Sequence, residues 1–295
     1  MTKTDLALYQ AVARRVGEGS DYYSTVASLH REMGYPLDPF FAVRLPTLAY
    51  INAALGPIGS MVLGLILVFV AALVWNKRLA DMPLSVRAVA IVIITVFAAN
   101  GLTSGVTYLH DWWAGLLITI ALGLQPNWRM AFVAGFAAAV IRELAIPFLL
   151  LFPLVYKQRV VLLWTLAALT VCGALIAFHA VSLWAIQMPS DLHSQGWFGH
   201  RGLRAFPNDV AKLTEIERLG SFGYLLIAVP LLGWAISRDW LAIIWIFGVV
   251  LLVSFVSRPD NFYWAQMAIP SYLTGWVFLG KLAIRSRGQV QTTTE

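Results

Sequence analysis

Charge is scarce in this chain, and cysteine scarcer still. Asp, Glu, Lys and Arg make up 12% of the 295 residues, about half the share usual in soluble globular domains. A single cysteine, Cys172, excludes an intrachain disulfide and leaves the redox compartment unread. There is no Walker loop, GxGxxG turn, HExxH helix or Gly-x-Ser-x-Gly elbow, so nothing supports a soluble nucleotide-dependent enzyme. Apolar residues, in contrast, reach 59%, with 12 tryptophans and a mean hydropathy of +0.74. Such a composition belongs to a polytopic transmembrane protein of the all-α class. The net charge of +6 does not call for nucleic acid, because the basic residues mostly flank apolar runs, as membrane topology requires.

Apolar segments fall at roughly 48–75, 88–108, 112–125, 130–141, 144–156, 160–187, 221–237, 240–257 and 264–283, about nine in all. A straight span needs about 20 residues, so 112–125, 130–141 and 144–156 are expected to be short central helices surrounded by protein. Between the last two stand Arg142 and Glu143, inside a run that is otherwise almost wholly apolar from Met130 to Tyr156. Either 130–156 is one span with a charge at its centre, or it is a hairpin turning at Arg142. Basic residues favour the hairpin. With the turn outside, Lys77, Arg78, Arg87, Arg129, Lys157, Arg159, Arg238, Lys281, Arg285 and Arg287 all fall inside, and the short outer loops keep only Arg142 and Arg258. An irregular charged turn at membrane depth is tolerable where protein or water surrounds it. Adjacent helical residues do not face each other, so Arg142 and Glu143 are not expected to be a simple pair.

The same topology places 1–47, 108–111, 188–220 and 258–264 outside, with the strong polar clusters, and the C-terminus inside. One domain is expected over 1–285, with 1–47 and 188–220 as outer loops and 286–295 as a disordered cytoplasmic tail. "DLALYQAVARRV" carries apolar or aromatic residues at 6, 9, 12, 13 and 16, the spacing of an amphipathic helix on the bilayer surface. "GYPLDPFFAVRLP" reads as an extended, proline-punctuated loop.

The polar clusters each have a plain reading and a chemical one. Asp5 lies four residues before Tyr9 on one helical face, and it also suits a helix cap. Asp21 in "GSDYYST" is a turn or cap candidate as well. His110 and Asp111 in "YLHDWWAGLL" fit a helix N-terminus, and equally a pair that binds an acceptor hydroxyl or orients a base. In "SRPDNFYWAQ", turn chemistry accounts for Asp260. Arg258 runs against the charge bias, and its planar fork suits a phosphate. His193 and His200 lack a partner at metal-ligand spacing and are expected to be exposed; His179, in an apolar run, is expected to be buried and hydrogen-bonded.

The order of these motifs resembles the GT-C superfamily of membrane glycosyltransferases. "DLALYQAVARRVGEGSDYY" and "YPLDPFFAVRLPTLAYINAALG" are similar to that family's outer acidic helix and the Pro-rich lead into its second span. "HDWWAGLLITIALGL" is similar to its acid-bearing second outer loop, and "AGFAAAVIRELAIPFLL" to its G-x-A-x-x-x-R/K segment. The likeness covers about residues 5–160. It implies inverting transfer of a sugar from a polyprenyl-phosphate carrier to a glycan, lipid or protein acceptor, in cell-envelope glycan biosynthesis. Asp5 would then be the base, with Arg142 and Arg258 at the donor phosphate. His110, Asp111, Glu143, Asp21 and Asp260 would stand on the acceptor side or hold a divalent cation. Family members usually carry a span before the acidic loop, so the reading frame is expected to extend upstream by about 20 apolar residues. The alternatives are a transporter or flippase of a lipid-linked saccharide, or a truncated, non-catalytic membrane subunit of GT-C type.

Overall fold

The computed structural model describes residues 5–99, 102 and 105–279. Among these residues there is no strand, only an isolated bridge between Asp38 and His193. Twelve α-helices follow in order: α1 Asp5–Gly17, α2 Tyr22–Met33, α3 Thr47–Arg78, α4 Leu84–Ala99, α5 His110–Gly123, α6 Trp128–Ile141, α7 Ile146–Tyr156, α8 Arg159–Trp184, α9 Ala205–Leu213, α10 Gly220–Ser237, α11 Trp240–Leu251 and α12 Ile269–Leu273. Three helical stretches, 40–78, 159–184 and 216–237, are long and apolar enough to cross a membrane. Large side chains such as Ile58, Phe69, Leu163, Phe178 and Phe222 stand more than half exposed on them, a surface suited to lipid. The other apolar helices, at 84–99, 128–141, 143–156, 240–256 and 269–279, are shorter than a bilayer crossing.

Several boundaries differ from those the sequence led us to expect, each for a local reason. The segment at 48–75 is broken at Gly56, whose φ of 64° and ψ of 179° are closed to most side chains. Pro57 then opens a new helical run to Arg78, about 33 Å long. The segment 188–220, expected as a loop, contains α9, which buries Phe206 and Val210. The span at 264–283 begins as 3-10 turns over Pro259–Met267, because Pro259, the turn at Asn261 and Pro270 withhold α-helical bonding. The tail at 286–295, and Lys281, Arg285 and Arg287, lie outside the described residues.

The chain separates into two compact units. The first comprises Met1–Ile66, Gly101–Ala114 and Gly135–Gly196; the second comprises Leu67–Asn100, Gly115–Ala134 and Trp197–Glu295. In the first, α1 and α2 pair. Leu8 and Val12 meet Tyr22, Val26 and Leu29, with Leu37, Val43, Ala49 and Leu183 closing the cluster. The amphipathic face expected to lie on a bilayer is therefore covered by protein. Each buried Val or Leu contributes about 1.5–3 kcal/mol. The exposed Arg15–Glu32 pair, at 3.2 Å, contributes about 0–1 kcal/mol, so packing holds the two helices together. The Pro-rich loop lies against α8, Phe40 meeting Trp184 edge-on at 5.8 Å.

The chain reverses at Arg142. Gly135, seven residues before it, approaches Phe148, six residues after it, so closely that a Cβ on Gly135 would sit 2.8 Å from the ring. In one straight helix those residues would be about 20 Å apart. Arg142 itself is extended, at φ −136° and ψ 109°, and a 3-10 turn over Glu143–Ala145 leads into α7.

In the second unit, the buried Trp75 donates from Nε1 to the Thr119 carbonyl at 2.8 Å. Arg78 pairs with Asp239, which also caps α11 by accepting from the Ala242 N–H at 3.2 Å. Arg201 forks onto the buried Asp209 at 2.7 and 2.6 Å and reaches Ser257 Oγ at 3.0 Å.

Candidate functional site

The first unit gathers charge where its chain is least regular. The loop between Asp38 and Thr47 delivers Arg44, the start of α5 delivers His110 and Asp111, and the reversal after α6 delivers Arg142 and Glu143. Arg142 is fully buried. Its Nε donates to Asp111 Oδ1 at 2.8 Å, and its Nη1 donates to Glu143 Oε1. Glu143 Oε1 also accepts from Arg44 Nη1 at 3.4 Å, and Arg44 Nε donates to the Tyr9 hydroxyl at 3.1 Å. The result is one chain of contacts, Asp111–Arg142–Glu143–Arg44–Tyr9, in which two guanidinium groups balance two carboxylates. Burial is tolerable because each charge has a partner.

Arg142 and Glu143 thus do pair, against the expectation. That expectation held them helical; Arg142 is instead extended, at the junction with the 3-10 turn that Glu143 opens, so helical geometry does not apply to the pair.

Beside this cluster lies a small, partly open pocket with room inside for little more than a water molecule. Its lining includes the polar Tyr9, Tyr22, His30, Arg44, Asn52 and His110 and the apolar Val12, Val26, Val43 and Leu48. Tyr22 donates to the Arg44 carbonyl at 2.6 Å and so fixes the loop that carries the guanidinium. The Tyr9 and His110 rings meet edge-on at 5.1 Å. Burial, opposed by the Arg44 charge, raises the Tyr9 phenol above its ordinary range, and burial raises Tyr22 further. Burial also lowers His30 to about 4. Its Nδ1 lies 2.8 Å from the Pro36 carbonyl, which can only accept, so the neutral ring carries its proton there.

Asp5 opens α1, where a carboxylate is favoured by the helix dipole. Its charge acts on Tyr9 and His30 and, through a hydrogen bond, on Tyr35, whose phenol is raised first by burial and then by Asp5. Asp21 is exposed and caps α2, accepting from the Ser24 N–H at 2.9 Å. Arg258 and the exposed Asp260 belong to the second unit, at the start of its 3-10 turns. His179 is buried and hydrogen-bonds the Val43 carbonyl at 3.2 Å; His193 is exposed beside Asp38. Among the described residues no three His, Cys, Asp or Glu side chains gather as a metal site.

Arg44, Tyr22, His30 and Asn52 are the site residues that sequence reasoning passed over. Arg44 had a usable signal, since it is the one charged residue between Asp38 and Lys77, the same oddity that drew attention to Arg142. No family model, curated protein or solved structure matches this chain.

Proposed function

We propose that this protein is a membrane glycosyltransferase that moves a sugar from a polyprenyl-phosphate carrier to a glycan, lipid or protein acceptor on the outer face of the plasma membrane. The observation that carries the reading is the pocket with a guanidinium in its lining, backed by the buried Arg142 and with the Asp5 carboxylate close enough to act on the lining residues Tyr9 and His30. In the proposed reaction Asp5 takes the proton of the acceptor hydroxyl as its oxygen attacks the anomeric carbon. The bond to the carrier oxygen breaks, and its electron pair leaves on the phosphate. Arg44, supported by Arg142 through Glu143, stabilises that charge. Asp111 and Glu143 position Arg142 instead of meeting substrate.

The breaks at Gly56 and Arg142 also favour a second reading, a transporter of a lipid-linked saccharide, since irregular backbone within apolar helices is common at transporter sites. Full-length protein in nanodiscs, given a panel of polyprenyl-phosphate hexoses, separates the two. Release of free polyprenyl phosphate, abolished by Asp5→Asn and depressed by Arg44→Ala, is expected of the transferase. Carrier movement without cleavage of any donor would replace it with the transporter.

A further inference from the structure

Charge gathers a second time at one end of the second unit, where Asp239 draws separate parts of the chain together. Asp239 pairs with Arg78 at the end of α3 and caps α11 through the Ala242 N–H. It also accepts from Gln125 Nε2, in the turn after α5, at 3.4 Å. Arg78 donates in addition to the Leu122 carbonyl, and Arg87 of α4 donates from Nε to Asn76 Oδ1 at 2.9 Å. The α3–α4, α5–α6 and α10–α11 connections are thus bonded to one another. Each brings further cations: Lys77 and Arg87 flank the first, Arg129 follows the second, and Arg238 stands in the third. Lys77, Arg129 and Arg238 are exposed. The acids described in these connections are Asp239, taken by Arg78, and the exposed Asp81.

We propose that this end of the second unit binds the headgroups of anionic phospholipids, with Lys77, Arg129 and Arg238 as the cations that meet the phosphate. The proposal is independent of the sugar-transfer reading. A topology signal does not account for the arrangement: insertion reads the charge of each loop by itself and gains nothing from bonding three loops together. Like charges held together repel, and an anion placed among them removes that cost. The choice of a lipid rests on what flanks the cations. Leu84, three residues before Arg87, is 76% exposed; Trp240, two after Arg238, is 62% exposed; Leu232, six before it, is 61% exposed. A phosphodiester at the cations can lay its acyl chains on α4, α10 and α11, and an indole such as Trp240 suits the level where headgroup meets chain. A nucleic acid or an acidic soluble protein would answer the charge and leave these apolar side chains in water. Arg129 lies over the Trp128 ring at 5.1 Å, which holds its guanidinium beside an interfacial aromatic.

The test uses the full chain, stripped of lipid in a neutral detergent and titrated with dioleoyl phosphatidylglycerol or dioleoyl phosphatidylcholine, with bound lipid counted by native mass spectrometry. Phosphatidylglycerol is expected to bind more tightly than phosphatidylcholine, and salt to narrow the gap. A basic residue near a lipid surface is worth about fivefold in affinity. Lys77→Gln, Arg129→Gln and Arg238→Gln should therefore each weaken phosphatidylglycerol about fivefold, and the three combined should bring it to the phosphatidylcholine level. The combination Lys77→Arg, Arg129→Lys and Arg238→Lys keeps the charge and should keep most of the binding. Arg14→Gln, Arg204→Gln and Arg218→Gln combined remove the same net charge from exposed positions elsewhere and should leave the affinity unchanged. Matched thermal midpoints and monodisperse elution show that each variant is folded, and the single variants serve if the triple is not. Equal affinity for the two lipids overturns the proposal, as does phosphatidylglycerol binding that survives the Gln substitutions. An equal loss in the control combination would reduce the effect to net charge and overturn it too. Displacement of phosphatidylglycerol by millimolar inorganic phosphate would make this a site for soluble anions and overturn the lipid assignment.

Discussion

Arg142 holds two carboxylates inside the first unit, and its removal strands Asp111 and leaves Glu143 to Arg44. Asp111 is 1% exposed and receives the Nε proton at 2.8 Å. Breaking a buried pair by deleting one partner destabilises by about 3–5 kcal/mol, because the survivor stays charged and dry. Arg142→Ala is therefore expected to unfold at markedly lower denaturant in detergent, and Arg142→Lys, which cannot bond both carboxylates in the same fork, to fall between. Asp111→Ala should cost less on top of Arg142→Ala than alone, since their partner is already gone. Additive losses in that double-mutant cycle would show that the two do not interact. An activity loss in Arg142→Ala counts toward chemistry only after this stability term is removed. From the sequence, the misplaced charge at 142 was readable because apolar neighbours make any charge conspicuous. Its partners were not readable: Asp111 lies 31 positions away and the Arg44–Glu143 contact spans 99. Asp21 shows the opposite limit, where local spacing described a cap and a cap is what it makes.

At the scale of elements, hydrophobic runs located most helices and charge located the reversal at Arg142, because both signals are local. The breaks governed by backbone geometry were harder. Gly-Pro at 56–57 sits in a continuous apolar run that gives no change of composition, and α9 lies in a loop whose polar flanks hide a short buried face. The α6–α7 hairpin can be tested directly. Gly135→Cys and Phe148→Cys, in a Cys172→Ala background, place two thiols on facing helices where the native Gly135 Cα leaves no room for a side chain. Mild oxidation or a short bismaleimide is expected to join them within the folded protein, seen as a linked peptide pair by mass spectrometry after denaturation and digestion. No linkage under conditions that link a known close pair would return 130–156 to a single span. The same crowding makes Gly135→Leu a poor substitution, since the Phe148 ring, fully buried, has nowhere to move.

The whole molecule joins three long apolar helices, mostly exposed along their hydrophobic windows, to several shorter ones. Such exposure suits a chain whose solvent is lipid over much of its surface. Which side each loop faces is a separate matter, and charge is the argument available for it. When the Arg142 turn faces outward, ten basic residues fall on the inner side and, in the shortest connections, only Arg142 and Arg258 on the outer, where 1–47 and 188–220 carry nine more; the bias therefore rests on the shortest loops. The polar segment 1–47 and the loop before α9 then share the outer side with the pocket residues, while the C-terminal tail is inside. In intact cells, a membrane-impermeant maleimide is expected to label Gln195→Cys, an exposed position, in the Cys172→Ala background. Thr292→Cys should be labelled only after the membrane is opened. Replacing the single native cysteine, which is buried in α8, keeps the background silent. Labelling of both positions from outside, or of neither, would overturn the sidedness and with it the outward pocket on which the transferase proposal depends. Labelling of Gln195→Cys alone would support the external placement that a lipid-linked donor and an external acceptor both require.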